Sequence, residues 1–158
     1  MTAESREFWY EESIGMTNNC DLCAAPGGVL VWQEPGWRIV RVLDADFPAY
    51  YRVIVDTHIV EFTDLSDAAQ ARCMALVTTV ERHLRQHVAP TKVNLAALGN
   101  VIPHIHWHVI ARFDWDSHFP QPIWGLRQRE VTPDATSRLP ISLTELDAAL
   151  TAAIAAAS

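Results

Sequence analysis

Residues 103–110 read Pro-His-Ile-His-Trp-His-Val-Ile, and no other stretch of the chain restricts its fold as strongly. A β-strand sends successive side chains to opposite faces. Read as a strand through residue 113, the tract places His104, His106, His108, Ile110 and Arg112 on one side. Ile105, Trp107, Val109, Ala111 and Phe113 fall on the other. The second side is bulky and apolar and must lie on a core. The first carries three imidazoles in a row, too polar to bury without partners. A strand facing plain solvent would more naturally use Thr, Lys, Glu or Arg. The tract therefore predicts a sheet with a core on one face and a chemically active site on the other.

The remaining elements follow from punctuation and periodicity. Residues 4–12 have the composition of a short helix. Pro26-Gly27-Gly28 is a turn, and the β-rich runs 29–33 and 37–43, split by Glu34-Pro35-Gly36, read as a hairpin. Residues 50–57 form a third strand after a loop at 44–49. Residues 66–88 form the strongest helix, with capping residues at 64–67 and Pro90 as the stop. At helical spacing Cys73, Leu76, Val77, Val80 and Leu84 share one arc, a core face. Ala68, Ala71, Ala75 and Thr79 lie nearly opposite, either as a solvent face or as a small-residue row for close helix approach. Strands at 92–97 and 105–113 follow, with a turn at Gly99-Asn100. An irregular aromatic stretch begins at Asp114, and a helix over 142–156 opens on a Ser142/Glu145 capping box. Three strands before the long helix and a strand pair after it make a mostly antiparallel sheet, an α+β chain.

At 158 residues this is one domain's worth of chain. The formal charge is −7, with Lys92 the only lysine beside eleven arginines. An acidic chain without a basic run is unsuited to binding duplex nucleic acid, although a single nucleotide needs only local donors. No apolar run approaches the ~20 residues of a membrane span, and the polar, acidic start at 1–12 lacks a signal-peptide core. A cytoplasmic location is the expectation.

Three histidines on one face suit two chemistries. All three can bind a metal with an open position for an activated water. Alternatively, one neutral imidazole attacks phosphorus while its neighbours orient it and hold the anion. Cys20-Asp-Leu-Cys23 in such a chain favours metal binding or redox chemistry over a structural disulfide. Cys73 reads as a small core residue. His83 and His87, one helical turn apart, read as part-buried histidines, and His118 lies in the aromatic stretch. Arg112 is either a phosphate partner or half of a structural ion pair.

His104 to Ile110 fits His-φ-His-φ-His-φ-φ, with φ apolar, at every position. It thereby resembles the signature of the histidine triad (HIT) superfamily of nucleotide hydrolases and transferases. Asp56-Thr57-His58-Ile59 before the long helix, and Asn94 followed by Gly99-Asn100-Val101 before the triad, resemble that superfamily's context as well. The likeness spans residues 18–113 and leaves 114–158 as a C-terminal extension of a single domain, 1–158. It implies a HIT-like α+β fold, a five-stranded sheet with one long helix and a C-terminal helix. It implies His106 as nucleophile, His108 and Asn94 on the phosphate, and Gly99 and Asn100 in the phosphate-binding hairpin. Asp44, or less directly Asp46, would hold the ribose.

Some HIT proteins hold a structural zinc, and the corresponding positions here are Cys20, Cys23, His58 and His104. Two thiolates and two imidazoles suit tetrahedral Zn²⁺. The resemblance further implies a hydrolase acting at the α-phosphorus of a nucleoside 5′-phosphate derivative, a phosphoramidate or a dinucleoside polyphosphate. The alternatives are nucleotidyl transfer and a regulatory nucleotide-binding module. A homodimer pairing its long helices through the alanine row is implied too.

Overall fold

The computed structural model describes residues 20–157; the helix expected at 4–12 lies outside the described residues. The chain opens with a single helical turn, α1 (Asp21–Ala24), whose first carbonyl, that of Cys20, accepts from the backbone N–H of Cys23 and Ala24, both at 3.0 Å. Strands β1 (Val29–Glu34) and β2 (Trp37–Arg41) form the hairpin, and Gly36 at its tip has φ +90°. That left-handed conformation suits glycine because any Cβ would be strained there. Strand β3 (Tyr50–Val55), the long helix α2 (Asp67–His87), β4 (Lys92–Ala96), β5 (His106–Arg112) and the closing helix α3 (Leu143–Ala157) complete the order. The five strands make one antiparallel sheet in the order β1-β2-β3-β5-β4. The α+β, HIT-like architecture is thus as expected. Four strands end a residue or two earlier than the β-rich runs do, whereas β1 runs one residue further, to Glu34, and regular pairing in the last strand begins at His106 instead of Ile105. Ile105 still bonds on both sides, donating to the Ile59 carbonyl and accepting from the Val55 N–H.

Helix α2 forms as its caps and spacing dictate. The Ser66 hydroxyl accepts from the Ala69 N–H at 3.3 Å, and the helix stops at His87, two residues before Ala89, whose φ is +44°. Cys73, Leu76, Val77, Val80 and Leu84 are fully buried against Ile39, Val53 and Val109 of the sheet and Leu146, Leu150 and Ile154 of α3. Burying each large aliphatic side chain in this layer stabilises the fold by roughly 1.5–3 kcal/mol. Ala68, Ala71 and Ala75 are exposed, and Thr79 is half-buried with its hydroxyl donating to the Ala75 carbonyl. The α3 capping box is present: the Glu145 N–H donates to the Ser142 hydroxyl, and that hydroxyl and the Ser142 N–H both donate to the Glu145 carboxylate. Asp147 ties α3 to the sheet by accepting from the Tyr51 hydroxyl (2.7 Å) and from Arg41.

Among the described residues the opposite face of the sheet carries no long helix. At one end the N-terminal arm packs Cys20 and Leu22 onto Val40 and Ile54. At the other, Phe47, Tyr50 and Ile110 form a second small cluster. There the stretch after Asp114 is organised around a buried ion pair. Arg112 donates to both oxygens of Asp116 (2.8 and 3.0 Å), to Asn94 Oδ1 and to the Gln121 carbonyl. Asp116 also accepts from the backbone N–H of Phe113, His118 and Phe119. Of the two roles open to Arg112, it takes the structural one. Among the described residues no helix is long and apolar enough to cross a membrane.

Candidate active site

Between those two clusters the ladder sets the floor of a site. Antiparallel pairing places Ile54 opposite His106, Arg52 opposite His108 and Tyr50 opposite Ile110, so these side chains share one face. His106 and His108 are buried and their rings meet edge-on at 4.7 Å. Each triad imidazole has one nitrogen assigned by a neighbour. His104 Nε2 lies 2.6 Å from the Val55 carbonyl, which only accepts; Nε2 therefore carries the proton and Nδ1 the lone pair. His106 is the reverse: Nδ1–H donates to the His104 carbonyl at 2.6 Å, leaving the lone pair on Nε2.

His108 Nδ1 lies 2.5 Å from the Tyr50 hydroxyl, which also accepts from Arg52 Nη2 at 3.4 Å. The hydroxyl proton has no other acceptor among the described residues. Tyr50 therefore donates to His108 Nδ1, and the His108 proton sits on Nε2. His106 is thus a lone-pair donor and His108 a proton-bearing donor, two adjacent imidazoles with opposite tautomers. Burial keeps both neutral: it lowers His106 below the ordinary imidazole range, and with the neighbouring His106 imidazole and the Arg52 charge it brings His108 down to about 3.

A cavity of about 350 Å³ opens over these rings, lined by His106, His108, Arg52, Trp124 and the loop from Leu98 to Ile102. Gly99 and Asn100 lie in that lining as expected. Asn94 does not; it lines an adjoining open groove of about 590 Å³, shares Trp124 with the first cavity, and has its Oδ1 taken by Arg112. Asp44 lies outside the lining too. Its Oδ1 accepts from the N–H of Asp46 and Phe47 as a turn residue, and among the described residues its side-chain hydrogen bonds use that oxygen alone. Asp46 accepts from Arg127. Three residues of the site escaped the sequence reading: Tyr50, Arg52 and Trp124, whose indole stands edge-on to His108 at 5.1 Å. Period two in residues 50–55 puts Tyr50, Arg52 and Ile54 on one face, and pairing that strand with the histidine strand would have found the first two.

On the same face, His104 turns toward the N-terminal arm. Cys20, Cys23, His58 and His104 present four ligand atoms all within 4.8 Å of one another, a cluster that could bind a metal. The Sγ···Nδ1 separations are 3.4 Å for Cys20–His104, 3.4 Å for Cys23–His58 and 3.5 Å for Cys23–His104. Ligand distances of about 2.3 Å for sulfur and 2.0–2.1 Å for nitrogen at tetrahedral angles put such atoms roughly 3.5 Å apart. His104 Nδ1 bears the lone pair a metal needs. The donor set and spacing therefore fit Zn²⁺.

The HIT domain matches residues 27–115, more than half of the chain. The chain belongs to the HIT family. No curated relative matches it. Among solved structures, this HIT chain is similar to a histidine triad protein of Bradyrhizobium japonicum, at 27% identity and TM-score 0.63 over 82% of this chain and 90% of that one. A histidine triad protein of Marinobacter aquaeolei has the same fold at 22% identity and TM-score 0.67, covering 87% and 96%. So has a zinc-bound histidine triad family protein of Mycobacterium smegmatis, at 22% and 0.58, covering 89% and 96%.

Proposed function

We propose that this HIT protein hydrolyses a nucleoside 5′-phosphate derivative at the α-phosphorus, with phosphoramidates and dinucleoside polyphosphates as the substrate classes. The opposed tautomers of His106 and His108 carry this reading. The Nε2 lone pair of His106 forms an N–P bond as the bond from phosphorus to the leaving group breaks. The leaving group departs with the bonding pair and takes a proton from water. Water then attacks phosphorus, the N–P pair returns to Nε2, and the water's proton passes to solvent, so one water is consumed per cycle. His108 Nε2–H donates to a phosphoryl or leaving-group oxygen. Gly99 and Asn100 cradle the phosphate. Asn94 serves it from the adjoining groove, and Asp44 offers Oδ2 to a ribose hydroxyl.

Cys20, Cys23, His58 and His104 would hold Zn²⁺, supplying a structural crosslink. A metal shared by all three triad histidines is disfavoured, because Val55 and the cysteines already engage both nitrogens of His104. The domain is proposed to span residues 1–158, in the cytoplasm. Two copies are proposed to pair through the exposed row Ala68, Ala71 and Ala75, and light scattering should give twice the mass of the 17.7 kDa chain.

The test is His106→Ala. Turnover should fall at least ~10³-fold with nucleotide affinity little changed, since the loss removes transition-state chemistry and spares ground-state binding. Acid quench of wild type with substrate should trap a nucleotidyl adduct on His106. Near-normal turnover by the variant would sink the mechanism.

A further inference from the structure

We propose that Arg52 is the countercharge of this pocket: its guanidinium binds the ligand's phosphate and restricts the site to phosphate-bearing nucleotides. The inference rests on the nucleotide reading above and adds to it a residue outside the histidine triad. Arg52 stands on β3 opposite His108 and lines the cavity with His106 and His108. Arg38, Arg41, Arg72, Arg112 and Arg127 each hold a carboxylate, whereas Arg52 forms no ion pair among the described residues. Its Nε is buried without a hydrogen-bond partner. Among the described residues its one side-chain bond is the long contact from Nη2 to the Tyr50 hydroxyl at 3.4 Å, with the guanidinium 5.6 Å from that ring's centroid.

A guanidinium kept partly out of water and left unpaired is unfavourable unless something supplies an anion. Among the described residues no acidic side chain lines the cavity, and Arg52 is its one arginine or lysine. In a chain of net charge −7, this one pocket therefore carries a single full positive charge. The missing partner must come with the ligand. A guanidinium offers a planar fork of N–H donors that matches phosphoryl oxygens, two at a time. Tyr50 links this fork to His108, so the phosphate that Arg52 holds lies beside the imidazole pair.

The experiment is calorimetric titration of AMP into wild type, Arg52→Leu and Arg52→Lys at low and moderate KCl, with melting curves to show that each variant is folded. Arg52→Leu should bind AMP roughly 10- to 100-fold more weakly, the size of a lost charge-assisted pair. The deficit should shrink as salt rises, because screening weakens the wild-type pair. Arg52→Lys keeps the charge without the fork and should recover part of the affinity. A folded Arg52→Leu that binds AMP as wild type does, or a deficit indifferent to salt and not relieved by lysine, would overturn the assignment and leave the nucleotide reading standing. Wild type that binds neither AMP nor GMP would overturn that reading and this inference with it.

Discussion

The two ends of the triad face are closed by opposite means. At the β2–β3 end, two sulfur and two imidazole nitrogen ligand atoms from Cys20, Cys23, His58 and His104 converge from three separate segments of the chain. At the other, Arg112 and Asp116 make a buried ion pair with side chains 2% exposed, satisfied by Asn94, Gln121 and three backbone N–H groups. The first end touches the proposed nucleophile directly, because the residue whose ring faces the cysteines also gives its carbonyl to His106 Nδ1. The second reaches the site through Tyr50 and Trp124 on His108, and through the fixed amide of Asn94. The ends therefore should differ in what they control: the first the alignment of the attacking nitrogen, the second the seating of the ligand.

Loss of the first end should have the largest effect. Elemental analysis of untagged protein should find close to one zinc per chain, and Cys20→Ser with Cys23→Ser should remove it. Structural zinc contributes folding energy directly, so the double variant should melt at least ~10 °C lower. Its kcat should fall, because His104 is free to shift and its carbonyl no longer holds the His106 tautomer. Metal retained by the double variant would place the ion elsewhere and break the contrast.

Asp116→Ala tests the second end. Removing one partner leaves the Arg112 guanidinium buried and uncompensated, which costs roughly 3–5 kcal/mol. Unfolding in denaturant should show that loss. In the surviving folded protein, KM should rise more than kcat falls, since Trp124 lines the pocket, and Pro120 and Pro122 the adjoining groove, without touching the assigned nitrogen of the proposed nucleophile. Equal effects on kcat from Asp116→Ala and from the cysteine pair would mean that the two ends are not functionally distinct.

The same contrast separates what was legible in the sequence from what was not. The first end is carried by residue types whose spacing is informative in itself: a Cys-x-x-Cys, a histidine at a strand end, and the first of three alternating histidines. The core layer is legible for a similar reason, since period two in β5 and the helical arc from Cys73 to Leu84 each name a buried face. The second end has no period and no motif. Arg112 lies on the triad face of its strand, and local sequence cannot tell a phosphate ligand from a guanidinium captured by an aspartate four residues on. Asn94 was expected on the phosphate for its place before the Gly99-Asn100 turn, yet its Oδ1 is taken by that same arginine. Tyr50 and Arg52 needed the pairing of β3 with β5, a relation between strands separated by the whole of α2. Trp124 needed the path of an irregular segment.

His83 calibrates both ends because it belongs to neither. It is 2% exposed on α2; its Nε2–H donates to the Leu146 carbonyl at 2.9 Å, and its Nδ1 is buried without a partner. The groups around it are His87, with ring centroids 4.5 Å away, and Asp147 of α3. Burial first, and the His87 charge second, hold its pKa below the ordinary imidazole range, against an opposing pull from the Leu146 carbonyl and Asp147. The native state therefore keeps His83 neutral while the unfolded chain takes up a proton below pH ~6.5. The sign is fixed: above that pH neither state binds the proton and the fold is unaffected, and as pH falls the unfolded state gains. Stability should decline by up to ~1.4 kcal/mol per pH unit from this group until the native imidazole protonates as well. His83→Gln keeps an N–H for Leu146 and removes the titration. Melting temperatures of wild type and variant, measured from pH 7.5 down to pH 5, should therefore converge as pH falls. A constant gap would show that the α2–α3 junction is indifferent to protonation and that the acid sensitivity of the fold lies at the ends of the triad face.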